Sequence, residues 1–190
     1  MGELAQQDRS EPDQVAGRIA KISTTARQAI KSLDEIVWAV NPRNDTLAHL
    51  IDYAGQFALD FLRVAGIRCR ADFPDQIPER ELSTDLRHNL FLVIKEVVHN
   101  SGKQAGASEV WLRVKNTGPF LEITIEDNGH GFDHAGKSPD DALADGLRNM
   151  RQRMTDIGGE CHFESQPGRG TKVILQLPWP KEDSNVHTIA

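Results

Sequence analysis

The sequence predicts an α+β fold, a two-layer sandwich whose mixed, mostly antiparallel sheet is covered on one face by helices, with a helical hairpin in front. Three observations predict it. From about Ile67 the pattern runs strand, helix, strand, strand, loop, helix, strand, strand, so consecutive hairpins mix with helices. Short alternating runs such as "FLEITIE" at Phe120–Glu126 are bounded by glycine turns. Ahead of them, apolar residues recur in a seven-residue pattern that only a long helix satisfies.

The elements follow in chain order. Residues 1–12 are polar and read as disordered. From Val15 one heptad series is Val15, Ile22, Ala29 and Ile36, and the other is Ile19, Ala26, Leu33 and Val40. A helix from Val15 to Val40 is roughly 39 Å long, which points to a seam shared with a second copy as well as with its own neighbour. Pro42 in "NPRND" ends it. A second helix carries Leu47, Leu50, Ile51, Ala54, Phe57, Ala58, Phe61, Leu62 and Ala65 on one broad face and stops at Gly66. The two helices read as an antiparallel hairpin, so residues 13–66 are expected to form a helical dimerisation region, with the homodimer contact through 15–65.

A strand at Ile67–Phe73 opens the second region, expected to span 67–180. Ser83 caps a third helix that runs to about Gln104. "EVWLRVK" and "FLEITIE" form a hairpin around Asn116-Thr117-Gly118. Residues 133–145 read as a polar loop, Leu147–Ile157 as a fourth helix, and "ECHFES" and "TKVILQLP" as two strands flanking "QPGRG". The tail, 181–190, reads as disordered.

Composition narrows the function classes. Apolar residues are 38% and charged residues 26% of 190, enough for a packed core with a well-solvated surface. Mean hydropathy is -0.47 and no apolar run approaches membrane-span length. A net charge of -6 gives no basic footprint for nucleic acid. Cys69 and Cys161 have neither metal-ligand nor CxxC spacing and suit a reducing, cytoplasmic setting as core residues. The N-terminus lacks a signal-peptide layout.

Four local features carry chemistry. On a wheel of about 100° per residue, Glu96, Asn100 and Lys103 fall within roughly 60° of each other, an acid, an amide and a cation along one helix edge. Asn is a poor mid-helix residue, and its amide oxygen suits Mg²⁺ while the lysine suits phosphate. In "DNGHGF", Asp127 ends a strand, and Gly129 and Gly131 permit close approach. A carboxylate there can accept from a ligand amino group; a tight turn is the competing reading. Gly146 in "DGLRNM" precedes a helix whose free N–H groups would favour phosphate. "GRGT" at Gly168–Thr171 is, taken alone, a hairpin loop.

In this order and spacing the four features resemble the ATP-binding domain shared by histidine kinases, gyrase, Hsp90 and mismatch-repair ATPases, the Bergerat-type fold. "DEIVWAVNPRNDTL", "RHNLFLVIKE" and "GLRNMRQRM…GRGT" resemble the sensor histidine kinases of two-component systems, in the branch of nitrate-sensor type, over nearly all of residues 15–180. The resemblance implies ATP and Mg²⁺ as cofactors, with Asn100 as the metal ligand and Glu96 placed to assist phosphoryl transfer. It implies Lys103 near the phosphates and Asp127 on the adenine amino group, in a pocket shaped by Gly129 and Gly131. Gly146 and Leu147 would lie beside the triphosphate, Gly168, Gly170 and Thr171 would belong to the last glycine box, and 133–145 would be the ATP lid.

The sequence departs from that pattern at His99, where the family has a first Asn, at Gln104, where it has His, and at Ala144, where it has Gly. Gln104 can still donate a hydrogen bond to phosphate but carries no charge. The phosphoacceptor is also absent: none of the seven histidines is followed by an acid and none precedes His49. The chain therefore reads as the C-terminal piece of a kinase. It would be free in the cytoplasm or the cytoplasmic end of a membrane-anchored protein, acting with a response regulator or a separate histidine-bearing acceptor. Two alternatives stay open. One is a regulator that pairs with a kinase or response regulator without catalysis. The other is an anti-sigma-type serine kinase, against which the long heptad helix argues.

Overall fold

The computed structural model describes residues 46–75, 77, 80–132 and 141–178, with residues 18, 19, 22, 23 and 25; the side chains of 141–144 are also outside it. The expectations for 1–12, for most of the first helix, for 133–140 and for 181–190 lie outside the described residues. The chain divides into two compact units, Met1–Asn44 and Asp45–Ala190. In the first, the five described residues are helical. Ile19 and Ile22, one from each heptad series, are 61% and 68% exposed.

The second unit begins with helix α1, Leu47–Val64, whose N-cap Thr46 accepts from the His49 backbone N–H. Its chain end turns at Gly66, whose φ of 75° suits glycine. The helix lies in the compact unit that begins at Asp45, ahead of the boundary expected after residue 66. Leu47, Leu50, Ile51, Ala54, Ala58 and Leu62 are buried within the unit. The face assigned to a hairpin and dimer contact instead packs on α2 (Thr84–Lys103) and on the first strand. Tyr53 and Phe57 lie 5.0 and 5.6 Å, centroid to centroid, from Phe91 of α2. The stripe is too wide for one seam, and burying its six fully enclosed apolar residues favours this docking by about 1.5–3 kcal/mol for each larger side chain.

Helix α2 starts at Ser83, whose hydroxyl accepts from the Leu86 N–H, and buries Leu90, Phe91, Val93, Ile94, Val97 and Val98. Helix α3 spans Asp141–Asp156, whereas the sequence predicted a start at Leu147. Ala142, Leu143 and Ala144 are strong helix formers, and a lone interior glycine costs only about 1 kcal/mol, so Gly146 does not break the helix.

Five strands form one open sheet: β1 Arg68–Asp72, β2 Glu109–Asn116, β3 Phe120–Asp127, β4 Glu160–Ser165 and β5 Thr171–Pro178. Their spatial order is β1-β2-β3-β5-β4, with β1 and β2 parallel and every other pair antiparallel. Alternation sends Val110, Leu112, Val114, Leu121, Ile123 and Ile125 into the core beneath the helices. The opposite face is laced with pairs such as Arg113–Glu126 at 2.7 Å and Lys172–Glu164 at 3.1 Å. Such exposed pairs add little stability but keep that face solvated. Strand β3 sits at the centre, so its last residue, Asp127, has Val110 of β2 on one side and Thr171 of β5 on the other.

Candidate functional site

The alternation that buries Leu121, Ile123 and Ile125 puts Asp127 on the same inward row, and it is only 5% exposed. A buried carboxylate is costly unless hydrogen-bonded. Three protein donors supply the bonds. Ser101 Oγ donates to Oδ2 at 2.9 Å, and the backbone N–H groups of Gly129 and Thr171 donate to Oδ1 at 2.9 and 3.3 Å.

The loop after β3 is folded tightly against its neighbours. A Cβ on Gly131 would lie 2.1 Å from the Gln166 carbonyl, and one on Gly170 would lie 1.9 Å from the Asp127 carbonyl. Both glycines have positive φ, 61° and 76°. A Cβ on Gly129 would meet the Ala105 carbonyl. The space left by these missing side chains is thus filled by the protein's own backbone. The glycines shape the cavity by letting three segments close around Asp127.

That cavity is about 110 Å³. Asn100, Ser101 and Gln104 line it from α2, Leu147 and Met150 from α3, and Asp127, Phe163 and Thr171 from the sheet. His130, Gly131 and Phe132 complete it from the loop. Of the residues predicted from sequence, Asn100, Gln104, Asp127, Gly131, Leu147 and Thr171 are therefore brought together. Gly129 and Gly170 stand behind the wall they help to build. Glu96 and Gly146 line another cavity of about 270 Å³ with Lys95, Asn149 and Arg153, and Met150 lines both.

Two predicted residues sit elsewhere. Lys103 Nζ lies 6.0 Å over the Phe61 ring of α1, away from the cavity. Gly168 is in the β4–β5 turn with φ 78° and open space around it. Gly146 lies inside α3 and not at its N-terminus, so the expected array of free N–H groups does not begin there. His99 packs 4.4 Å from Phe61 and 5.9 Å from Phe57, centroid to centroid, which gives this departure a packing role between α1 and α2.

Sequence reasoning missed Ser101, His130, Phe132, Met150 and Phe163. Ser101 was legible in principle, as a poor helix former next to Asn100. The apolar residues were not, because a cavity wall and a core look alike in a hydrophobic pattern. Neither thiol contributes. Burial pushes Cys161 up to about 12 against the opposing pull of the Arg151 charge, and burial also raises Cys69.

The donor set suits a particular kind of metal binding. Among the described residues no three His, Cys, Asp or Glu side chains cluster as a metal cage. Mg²⁺ commonly takes one or two protein oxygens and completes its shell with water and phosphate. The Asn100 amide on the cavity wall, one helical turn from Glu96, fits that mode.

The open mixed sheet of five strands with its helices matches the fold of histidine kinase catalytic domains. The histidine kinase domain of the blue-light-activated kinase of Erythrobacter litoralis has this fold, with a TM-score of 0.55 at 24% identity over 68% of this chain and 60% of that one. The catalytic domain of the histidine kinase ThkA has it with a TM-score of 0.57 at 18% identity over 72% and 96%. The model of the histidine kinase-, DNA gyrase B- and HSP90-like ATPases matches residues 85–181, and the chain belongs to that family. Among curated relatives, the sensor protein VraS of Staphylococcus saprophyticus is 32% identical over 111 residues, 57% of this chain and 30% of its own. An uncharacterized sensor-like histidine kinase of Chloroflexus aurantiacus is 34% identical over 105 residues, 54% of this chain and 18% of its own. The chain thus spans about a third or less of the length of these relatives. No described helix is long and apolar enough to cross a membrane.

Proposed function

We propose that this chain is the ATP–Mg²⁺-binding catalytic part of a two-component sensor histidine kinase, of the nitrate-sensor-type branch. It transfers the γ-phosphate to a histidine supplied from outside these residues. The observation that carries the reading is Asp127, a buried carboxylate in a cavity walled on other sides by Phe132, Met150 and Phe163. Such a group serves to accept hydrogen bonds from a bound ligand as well as from the protein. In this reading Asp127 takes the adenine amino group, and Phe132, Met150 and Phe163 enclose the base. Asn100 and Gln104 face the phosphates, with Mg²⁺ on the Asn100 amide. Glu96 stands one turn away, beside Gly146, where an acceptor imidazole would approach. Bound Mg²⁺ would neutralise the phosphate charge, and the protein's share is positioning, which phosphoryl transfer chiefly requires.

Dimerisation is assigned to the heptad helix of residues 15–40, supported by the exposure of Ile19 and Ile22. A response regulator is the downstream partner, and the site faces the cytoplasm. Titration with a fluorescent ATP analogue tests the reading. Asp127→Asn should lower affinity about 100-fold, and Asn100→Ala should remove most of the Mg²⁺ dependence. Wild-type affinity in both variants would refute the assignment.

A further inference from the structure

We propose that Ser101 positions Asp127 and sets base specificity: its hydroxyl donates to Oδ2, so the Ser101–Asp127 pair offers only acceptors to an amino-bearing base. The inference rests on the nucleotide reading above and names a residue that reading does not require. Ser101 is 2% exposed in the last turn of a 20-residue helix. A serine there ordinarily bonds back to the carbonyl four residues earlier or faces water. Here it reaches across to a strand 26 residues away, 2.9 Å from Oδ2.

The donors are divided unequally. Oδ1 takes both backbone N–H groups, from Gly129 and Thr171, and Ser101 is the one described donor on Oδ2. Each carboxylate oxygen has about two lone-pair sites, so Oδ1 is filled and Oδ2 keeps one for a ligand. The single Ser101 proton is committed, which leaves its Oγ with lone pairs only. The neighbouring Phe132 N–H is also taken, by Ser165 Oγ at 2.8 Å. An exocyclic amino group meets acceptors on this pair, whereas a ring oxo group meets the same acceptors and is rejected. The bond also ties the helix that carries Asn100 to the strand that carries Asp127, so one contact aligns the two ends of the site.

The test is calorimetric titration of the 190-residue chain with ADP and with inosine diphosphate, which differs by an oxo group in place of the amino group. Wild type is expected to prefer ADP about 100-fold, and Ser101→Ala to lower ADP affinity about tenfold while narrowing the preference about tenfold. Without Ser101 the carboxylate is held through Oδ1 alone, so its aim at the amino group slackens. Ser101→Cys keeps the size and a weak donor, and should fall between the two; it stands in if the alanine variant does not fold. A helix merely loosened by the substitution would lose both ligands equally. An unchanged ADP preference in either folded variant overturns the proposal. If wild type binds neither ligand, or Asp127→Asn leaves ADP affinity untouched, the nucleotide reading itself falls and this one with it.

Discussion

The two ends of the cavity are built differently. At the Asp127 end, three segments close on one carboxylate through Ser101, Gly129 and Thr171, and backbone carbonyls stand where Gly131 and Gly170 lack side chains. At the α3 side Leu147 and Met150 line the cavity, and Arg153 Nη1 donates to Asn89 Oδ1 at 3.0 Å, tying α3 to α2. Gly146 there has open space, its nearest neighbour being Glu96 Oε1 at 3.6 Å from an added Cβ. The first end is held in a single arrangement by sterics and hydrogen bonds together. The second is a helix laid on the core, with room left at its glycine. The lesson is that a glycine's role is set by what occupies its vacant side, which the letter G does not tell.

The largest effect should come from breaking the closed end. Gly170→Ala meets both a φ of 76° and a carbonyl 1.9 Å away, while Gly168→Ala, at φ 78°, meets open space. We expect Gly170→Ala to cost about 3 kcal/mol or more and Gly168→Ala about 1 kcal/mol, read from urea midpoints. Equal costs would mean that the carbonyl yields and the end is looser than its packing implies.

An intermediate effect should come from the α3 end. Arg153→Ala removes the tie to Asn89 and should cost about 1 kcal/mol in stability, the usual worth of one hydrogen bond. Double-mutant analysis with Asn89→Ala checks it, since the second change should then cost little more. Additive losses would show that the two side chains act separately.

The smallest effect should favour the fold. Gly146→Ala lies in a helix interior with room for a methyl group, so it should stabilise the protein by about 0.5–1 kcal/mol. Thermal melting would show it as a rise of a few degrees. A loss of stability would place Gly146 among the constrained glycines and erase the contrast between the two ends.

Much of this could be read in the amino acids. Alternation along "EVWLRVK", "FLEITIE", "ECHFES" and "TKVILQLP" located four strands to within a residue, and Ser83 marked the start of α2. These signals are local: a pleated strand has a period of two, and a cap satisfies donors within its own first turn. The same locality limits what these signals say about partners. The apolar stripe of α1 showed that the helix is buried, but a stripe does not name its partner, and within this chain it meets Phe91 of α2. Lys103 shares a helix edge with Asn100 on a wheel, yet α1 stands close enough to draw it over Phe61.

The sequence by itself determined the order of elements, the buried rows and the presence of an acid, an amide and glycines at chemically suggestive places. The tertiary structure alone decided which of them meet. It put Ser101 on Asp127, filled the vacancies of Gly129 and Gly131 with backbone, and placed Glu96 and Asp127 on different cavities that share Met150. The physical reason is range. Propensity and periodicity act over a few residues, whereas a binding site is an agreement between segments that only long-range packing can bring into contact.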